Sequence, residues 1–209
     1  MEKRTTPRGP LGRPRKGEPS VREEAGDEMP ERSSAGPPSS TKITPRPTGV
    51  EVVELANADR ERAVPVLKEG FEGIYRWHAK RTLRTATWVR AASLGGEIVG
   101  VSVLERLDPE VGYIYYLSVA RARRRGGLGA VLLDDALELF RREHASVAYG
   151  AAEEENAASI ALFRSRGFRL VERKELSFRE GGLGAWGLRS RMTLVGGEVL
   201  LGLRLRPSA

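Results

Sequence analysis

A chain of 209 residues, 40% hydrophobic and 30% charged, is long enough to bury one proper core. It has no cysteine, and its only histidines are His78 and His144, which excludes a disulfide framework, a thiol nucleophile and a His/Cys metal site. A net charge of +7, carried mostly by arginine, points to phosphorylated ligands or nucleic acid as partners, or to a merely arginine-rich surface.

No run of about 18 apolar residues is present and no apolar stretch follows the charged N-terminus. The expectation is a cytoplasmic protein with no membrane association. Glutamine is absent and asparagine occurs only at Asn57 and Asn156, a depletion of labile residues that suggests a thermophile source. A melting temperature within the mesophile range of roughly 45–65 °C would count against that source.

Residues 1–48 form a zone of their own, with proline recurring from Pro7 to Pro47 among Gly, Ser and mixed charges. Large apolar residues are nearly missing, so this tail is expected to be disordered. Its Gly12-Arg13-Pro14-Arg15-Lys16 resembles the core of an AT-hook, a reader of A·T-rich minor grooves, and nucleic acid is expected to bind through this tail or not at all. The bland alternative is a solvated charged tail, and a start at Met29 would remove the hook.

The folded domain is expected over residues 49–207. Val50 to Leu55 reads as a strand, and Asn57 or Asp59 as the cap of a helix carrying Val64, Leu67 and Phe71, with Pro65 forcing an irregular turn or a break. Ile74 to Leu83 reads as a second helix whose aromatics, Tyr75 and Trp77, are expected over the sheet. Thr87 to Ala92 and Ile98 to Glu105 flank Gly95-Gly96, a hairpin signal. Leu107 to Glu110 is a turn.

Tyr113 to Val119 is then an apolar strand, and Leu128 to Phe140 an amphipathic helix. Between them lie Arg123, Arg124, Arg125, Gly126, Gly127, Leu128, Gly129 and Ala130. A helix start offers unpartnered backbone N–H groups and the positive end of the dipole, and glycines let an anion come close. Arginines beside it add charge-assisted donors suited to phosphate. The plain alternative is a strand–loop–helix joint with solvated arginines. The turn is not a P-loop, since Gly129 is followed by Ala130 and Val131 rather than Lys-Ser/Thr. Nor is it a dinucleotide fingerprint, since the third glycine position holds Leu132.

Farther on, Ser146 to Ala152 reads as a strand, Asn156 to Arg166 as a capped helix stopped by Gly167, and Phe168 to Phe178 as another strand. Gly181 to Ala185 repeats the letters GGLGA of 126–130 without opening a helix and reads as a loop. Val199 to Arg206 closes the domain as a strand, with Met192 to Val195 either part of it or of the loop's return.

Arg124, Gly127 and Gly129, in order after a buried strand and before a Leu-rich helix, resemble the Arg-x-x-Gly-x-Gly turn of the GNAT N-acetyltransferase superfamily. Asn156, Ala157, Ile160, Ala161, Leu162, Phe163, Gly167 and Phe168 resemble its second motif, and together the likeness covers about 50–206. The resemblance implies an α/β fold with a mixed, mostly antiparallel sheet flanked by helices. It also implies acetyl-CoA as co-substrate, an amine acceptor, and acetyl transfer by direct attack in a ternary complex. The cofactor's pyrophosphate would lie on 124–130, its pantetheine on Leu117, Ser118 and Val119, and its amide-rich arm near Asn156 and Phe163. The plain role of Asn156 is a helix cap, and the two roles are compatible.

Transfer to an amine needs a base to remove a proton and a donor for the oxyanion. Where the family often places a tyrosine acid this chain has Phe163, and where it places a glutamate base the chain has Tyr113 or Ala151. The remaining candidates are Glu153 and Glu154, with Glu155 beside them, at the end of their strand, and Tyr149; their plain roles are charges complementing a helix start and a packed ring. Tyr115 can also reach an acceptor site. Ala148, Gly150 and Ala152 leave one strand face small, for a pocket or a bulky neighbour. No metal is expected. The competing classes are a non-catalytic acyl-CoA-binding regulator and a DNA-associated protein, and no oligomeric state follows from the residues.

Overall fold

The computed structural model describes residues 47–71, 73–172, 175, 187, 191–192, 194 and 197–205, with the side chains of 73–76 excepted. The expectations for the tail and hook, for the Gly181–Ala185 loop and for positions 173–174 and 176–178 of the strand expected from Phe168 to Phe178 fall outside those residues.

One mixed sheet organises the fold. Its strands are β1 (Val50–Glu54), β2 (Trp88–Leu94), β3 (Glu97–Asp108), β4 (Val111–Val119), β5 (Val147–Glu153), β6 (Arg169–Leu170) and β7 (Glu198–Arg204), in the order β1-β2-β3-β4-β5-β7-β6. Neighbours pair antiparallel except β4 and β5, which run parallel. That parallel pair is joined by α3 (Leu128–Arg142), the crossover that parallel strands require. The Gly95-Gly96 turn between β2 and β3 has φ of 58° and 84°, the left-handed pair that a two-residue hairpin favours.

Helices cover both faces. On one, Leu133, Ala136, Leu137 and Phe140 of α3, with Phe163 of α4 (Ala157–Arg164), pack on Leu104, Ile114, Ala148 and Leu201. On the other, Val64, Val66 and Leu67 of α1 (Val64–Gly70) and Leu83 of α2 (Gly73–Thr85) pack on Val89, Ala91, Val101 and Val103. Beside them Tyr113, Val147, Tyr149, Met192 and Leu200 form a further buried cluster.

Several local expectations are corrected. Neither Asn57 nor Asp59 caps a helix: residues Asn57–Ala63 wind as a 3-10 helix entered from Ala56, and Pro65 sits in the first turn of α1, where its missing N–H costs nothing. Phe71 is extended and ends α1 instead of belonging to it. Trp77 does not lie over the sheet; it is 61% exposed, with the Arg81 guanidinium 5.9 Å above its ring. β3 runs through Asp108, so the turn is confined to Pro109-Glu110. Among the described residues, the strand expected from Phe168 keeps Arg169–Leu170, and Met192 is a buried helical residue.

Candidate active site

The site arises where two parallel strands part company. β4 and β5 pair only from Val111 to Ile114 and from Val147 to Gly150. Beyond that point β4 stays with β3 up to Val119, while β5 stays with β7 up to Glu153. The facing edges of both strands therefore run on without a strand between them, and a cleft of about 460 Å³ opens in the gap. Ile114 to Leu117 line one wall and Ala151 to Glu153 the other.

A second irregularity sits beside the split. Opposite β3 the register passes from Val103↔Tyr116 to Leu104↔Ile114, so Tyr115 is an extra residue in β4. Such a bulge breaks the alternation of side chains and re-aims them. Ile114 and Leu117 contact the α3/α4 side, whereas Tyr115 and Tyr116 both pack with the α1/α2 side. Their rings are stacked at 6.2 Å, and Phe71 meets Tyr116 edge-on at 4.9 Å. The cleft thus has two chemically different mouths. Toward α4 it is lined by Leu117, Leu162, Phe163, Ser159 and Asn156; toward α1 by Phe71, Tyr115 and Tyr116.

At the end of β4 the basic turn begins. Arg124 lines the cleft, and its Nε donates to the Val119 carbonyl at 3.1 Å while Nη2 donates to that of Glu69 at 3.0 Å. Its first role is to pin the turn between β4 and α1; its other N–H groups remain for a ligand. The Arg121 backbone N–H donates to Glu69 Oε2 at 2.6 Å, a second tie to α1. Arg125 (φ 64°) and Gly127 (φ 80°) are both left-handed, and Gly127 is the N-cap of α3. A helix entered this way presents the N–H groups of its first turn outward from the turn.

Arg125, Gly126, Gly127, Leu128, Gly129 and Ala130 follow Arg124 without lining the cleft themselves. Leu128 and Ala130 are buried, so only their backbone can serve an anion. Gly129 abuts the cleft wall: a Cβ there would stand 3.2 Å from Leu162 and 3.8 Å from Leu117. Leu117 lines the cleft, while Ser118 turns inward, donating its hydroxyl to the Val66 carbonyl at 2.9 Å. Asn156 does cap α4, its Oδ1 accepting from the Ser159 N–H at 3.0 Å, and it lines the cleft as well. The carbonyl oxygen is committed; the Nδ2 donors are what it has to offer. Phe163 is 4% exposed and lies over Gly150, which answers the small strand face with a bulky neighbour.

The three catalytic candidates separate. Glu153 is exposed and lines the cleft. Glu154 is exposed outside it, its backbone N–H bonded to Gly197. Tyr149 is fully buried between Val147, Leu200 and Met192 and does not line the cleft. Two acidic groups of the lining were missed altogether, Glu69 at the end of α1 and Glu198; the latter, the first residue of β7, faces Glu153 across the ladder and lines the same cleft. Only the pairing of the last strand with β5 brings it there, and nothing local in the sequence marks that register. Burial first, then the charge of Glu198, pushes the Tyr113 hydroxyl far above its ordinary value, so that phenol stays neutral. Ala151, where a glutamate would be usual for the resembling family, is half-buried on the β5 wall. Among the described residues no cluster of acidic and histidine side chains suits a metal ion.

The model of the acetyltransferase (GNAT) family matches residues 50–168, from β1 through the second motif. The chain belongs to that family. A mycothiol acetyltransferase of Corynebacterium glutamicum is 28% identical over 142 residues, covering 60% of this chain and 49% of its own length. The N-alpha-acetyltransferase RimI of Mycobacterium tuberculosis is 29% identical over 148 residues, 67% of this chain and 91% of that protein. The chain thus spans about half the length of its mycothiol-acetyltransferase relative and most of the other. A GNAT acetyltransferase from Elizabethkingia anophelis, solved with acetyl-CoA bound, superposes with a TM-score of 0.53 over 76% of this chain and 100% of its own, at 17% identity. At that identity the match speaks for the fold, and the fold is the expected one.

Proposed function

We propose that this GNAT domain, over residues 49–207, transfers the acetyl group of acetyl-CoA to a primary amine. The observation that carries the reading is the parting of β4 and β5 directly below the arginine- and glycine-bearing turn into α3. It leaves a cleft open along an unpaired strand edge, the setting an extended amide-bearing thioester needs, with N–H donors and arginines at one end for its phosphates. The backbone turn 124–130 receives the pyrophosphate. The edge of β4 at Leu117 to Val119 receives the pantetheine amides, Asn156 Nδ2 adds a donor, and Leu117, Leu162 and Phe163 enclose the apolar segment.

Within the cleft the acceptor must lose a proton before its nitrogen can attack. Glu153, the one member of the three catalytic candidates that lines the cleft, takes that proton, directly or through a water. The amine then attacks the thioester carbonyl and the oxyanion is met by backbone N–H; the attacking nitrogen gives its extra proton to solvent, the C–S bond breaks, and coenzyme A leaves as the thiol once protonated. Phe163 cannot supply that last proton, so solvent does.

Calorimetric titration with acetyl-CoA tests the cradle. Micromolar binding by the wild type, abolished in Gly127→Glu and retained in weakened form in Gly127→Ala, is expected: both strain a left-handed residue, but only the first sets a carboxylate against the phosphates. A wild type that binds no acetyl-CoA would end the enzyme reading. A second reading, a regulator that binds acyl-CoA without turnover, is favoured by Phe163 and Ala151 standing where an acid and a base are usual. Coenzyme A release on adding amines separates the two.

A further inference from the structure

Among the described residues, three hydrogen bonds tie the last turn of α1 to the end of β4 and to the basic turn. The buried Ser118 hydroxyl donates to the Val66 carbonyl at 2.9 Å, Arg124 Nη2 to the Glu69 carbonyl at 3.0 Å, and the Arg121 backbone N–H to Glu69 Oε2 at 2.6 Å. Gly70 completes the contact, since a Cβ there would collide with the Ser118 hydroxyl. The next residue is Phe71, which is extended, lines the cleft and meets Tyr116 edge-on. The wall of the cleft at 69–71 and the basic turn are therefore bonded to each other directly.

Glu69 is the odd member of this set. It is exposed and lines the cleft beside Arg121 and Arg124, where its charge is unfavourable to a phosphate-bearing ligand. What it supplies instead is a fixed point. Arg121 opens the 3-10 turn Arg121–Arg123, entered from an extended Ala120 with ψ 133°, and the first N–H of such a turn has no partner within it. Glu69 caps that N–H from another element.

Resting on the transfer reading above, we propose that Glu69 is a positioning residue. By capping the Arg121 N–H it locks the basic turn onto α1 in the geometry that acetyl-CoA binds, and it carries occupancy of the turn to the 69–71 wall. The role is one of hydrogen bonding and not of charge. A turn ordered beforehand spares the ligand the cost of ordering it. By reciprocity, a ligand that holds the turn also holds the end of α1.

Titration of four variants with acetyl-CoA separates bond from charge. Glu69→Gln keeps an accepting oxygen and loses the charge, so it should bind as tightly as the wild type or more tightly. Glu69→Ala should bind about fivefold more weakly, the worth of one net hydrogen bond. Arg121→Ala keeps the backbone donor and reports what the side chain alone contributes. Arg121→Pro removes the donor as well, at a position that suits proline: the first of a helical turn, after an extended residue. It should be weaker than Arg121→Ala by about the same fivefold. Adding Glu69→Ala to it should cost little more, since both changes break one bond.

Amide exchange at saturating acetyl-CoA, followed by mass spectrometry, reads the coupling. In the wild type and Glu69→Gln the ligand should slow exchange at the start of α3 and also across 67–71, where the Phe71 N–H is bonded to the Leu67 carbonyl at 3.1 Å. In Glu69→Ala and Arg121→Pro the slowing at α3 should remain while that at 67–71 is largely lost. A residue that merely supported α1 would change exchange in the free protein and leave the ligand's effect standing. Glu69→Gln binding as weakly as Glu69→Ala, additive losses in the double variant, or a wild type protected at α3 but not at 67–71 would each overturn the proposal. Failure of the wild type to bind acetyl-CoA is the separate failure of the transfer reading.

Discussion

Gly150 is the position where fold and cleft depend on the same missing atom. A Cβ built there stands 2.8 Å from both Cε1 and Cζ of Phe163, well inside carbon–carbon contact. The ring has little room to yield: it is 4% exposed and meets Phe168 edge-on with centroids 4.9 Å apart. Overpacking by one methyl group in such a place costs about 1–3 kcal/mol. For a domain of this size that is a fall in melting temperature of roughly 2–12 °C. Phe163 also lines the cleft, so a displaced ring intrudes on the apolar wall, and acetyl-CoA should bind more weakly to Gly150→Ala. Phe163→Leu alone opens a void and costs about 1 kcal/mol or more. The two changes together should cost less than their sum, because the smaller side chain vacates the volume the new methyl needs. A thermal-melting double-mutant cycle with acetyl-CoA titrations on all four proteins reads both effects. Additive losses, or a Gly150→Ala protein that melts and binds like the wild type, would refute the close packing of Phe163 on β5.

Two further predictions follow from single side chains. Asn156→Ala should lose the α4 cap, about 1 kcal/mol, whereas Asn156→Asp keeps an accepting oxygen for the Ser159 N–H and should melt near the wild type; both should bind acetyl-CoA less tightly, since both lose the Nδ2 donors. If Asn156→Asp binds acetyl-CoA like the wild type, the residue is a cap alone. Tyr113 has its hydroxyl held neutral by burial in the fold, while in the unfolded chain it ionises near pH 10. The native value is the raised one, so its contribution is intact below about pH 10 and is lost as pH rises above it, at about 1.4 kcal/mol per pH unit. Denaturant melts from about pH 9 to 11 should show a shallower alkaline decline for Tyr113→Phe than for the wild type, and parallel profiles would contradict the assignment.

The elements that could be read in the sequence are those whose signal is local. The Gly95-Gly96 hairpin, the apolar strand before Arg121, the amphipathic α3 and the Asn156 cap all announce themselves within a few residues, and each stands where expected. The expectation failed where tertiary contacts outweigh local preference. Asn57 and Asp59 look like caps, yet Arg60, 6% exposed, decides that segment: it turns inward and donates to the Leu83 and Ala86 carbonyls at 3.2 and 2.9 Å, closing the end of α2. The 3-10 winding of 57–63 delivers it there. Likewise the order of strands β5, β7 and β6 carries no local mark, and so Glu198 was invisible while Glu153, its ladder partner, was named. Tyr149 misled in the opposite sense. Its residue type suits acid–base chemistry, but alternation along β5 and the cover of Met192 and Leu200 bury it below the level of the cleft.

The cleft and the sheet's glycines are two consequences of one packing problem. Aromatic rings from both faces press on the three central strands of this half of the sheet, and each ring is met by a glycine. A Cβ at Gly112 on β4 would fall 2.6 Å from Phe140, at Gly150 on β5 2.8 Å from Phe163, and at Gly202 on β7 2.9 Å from Tyr149. Glycine in a strand weakens it, so this many imply that the close approach is worth more than the lost propensity. Phe140 on Gly112 lies within the paired stretch of β4 and β5 and holds it together under α3; Phe163 on Gly150 lies at its last rung. Past that rung the strands diverge, and Phe163 closes the cleft's floor with carbon where a phenol would have brought a proton. The ring that packs on the last rung of the pair therefore leaves no phenol at that wall of the cleft. Packing at the root of the cleft and the apolar character of its wall thus meet in one side chain, Phe163.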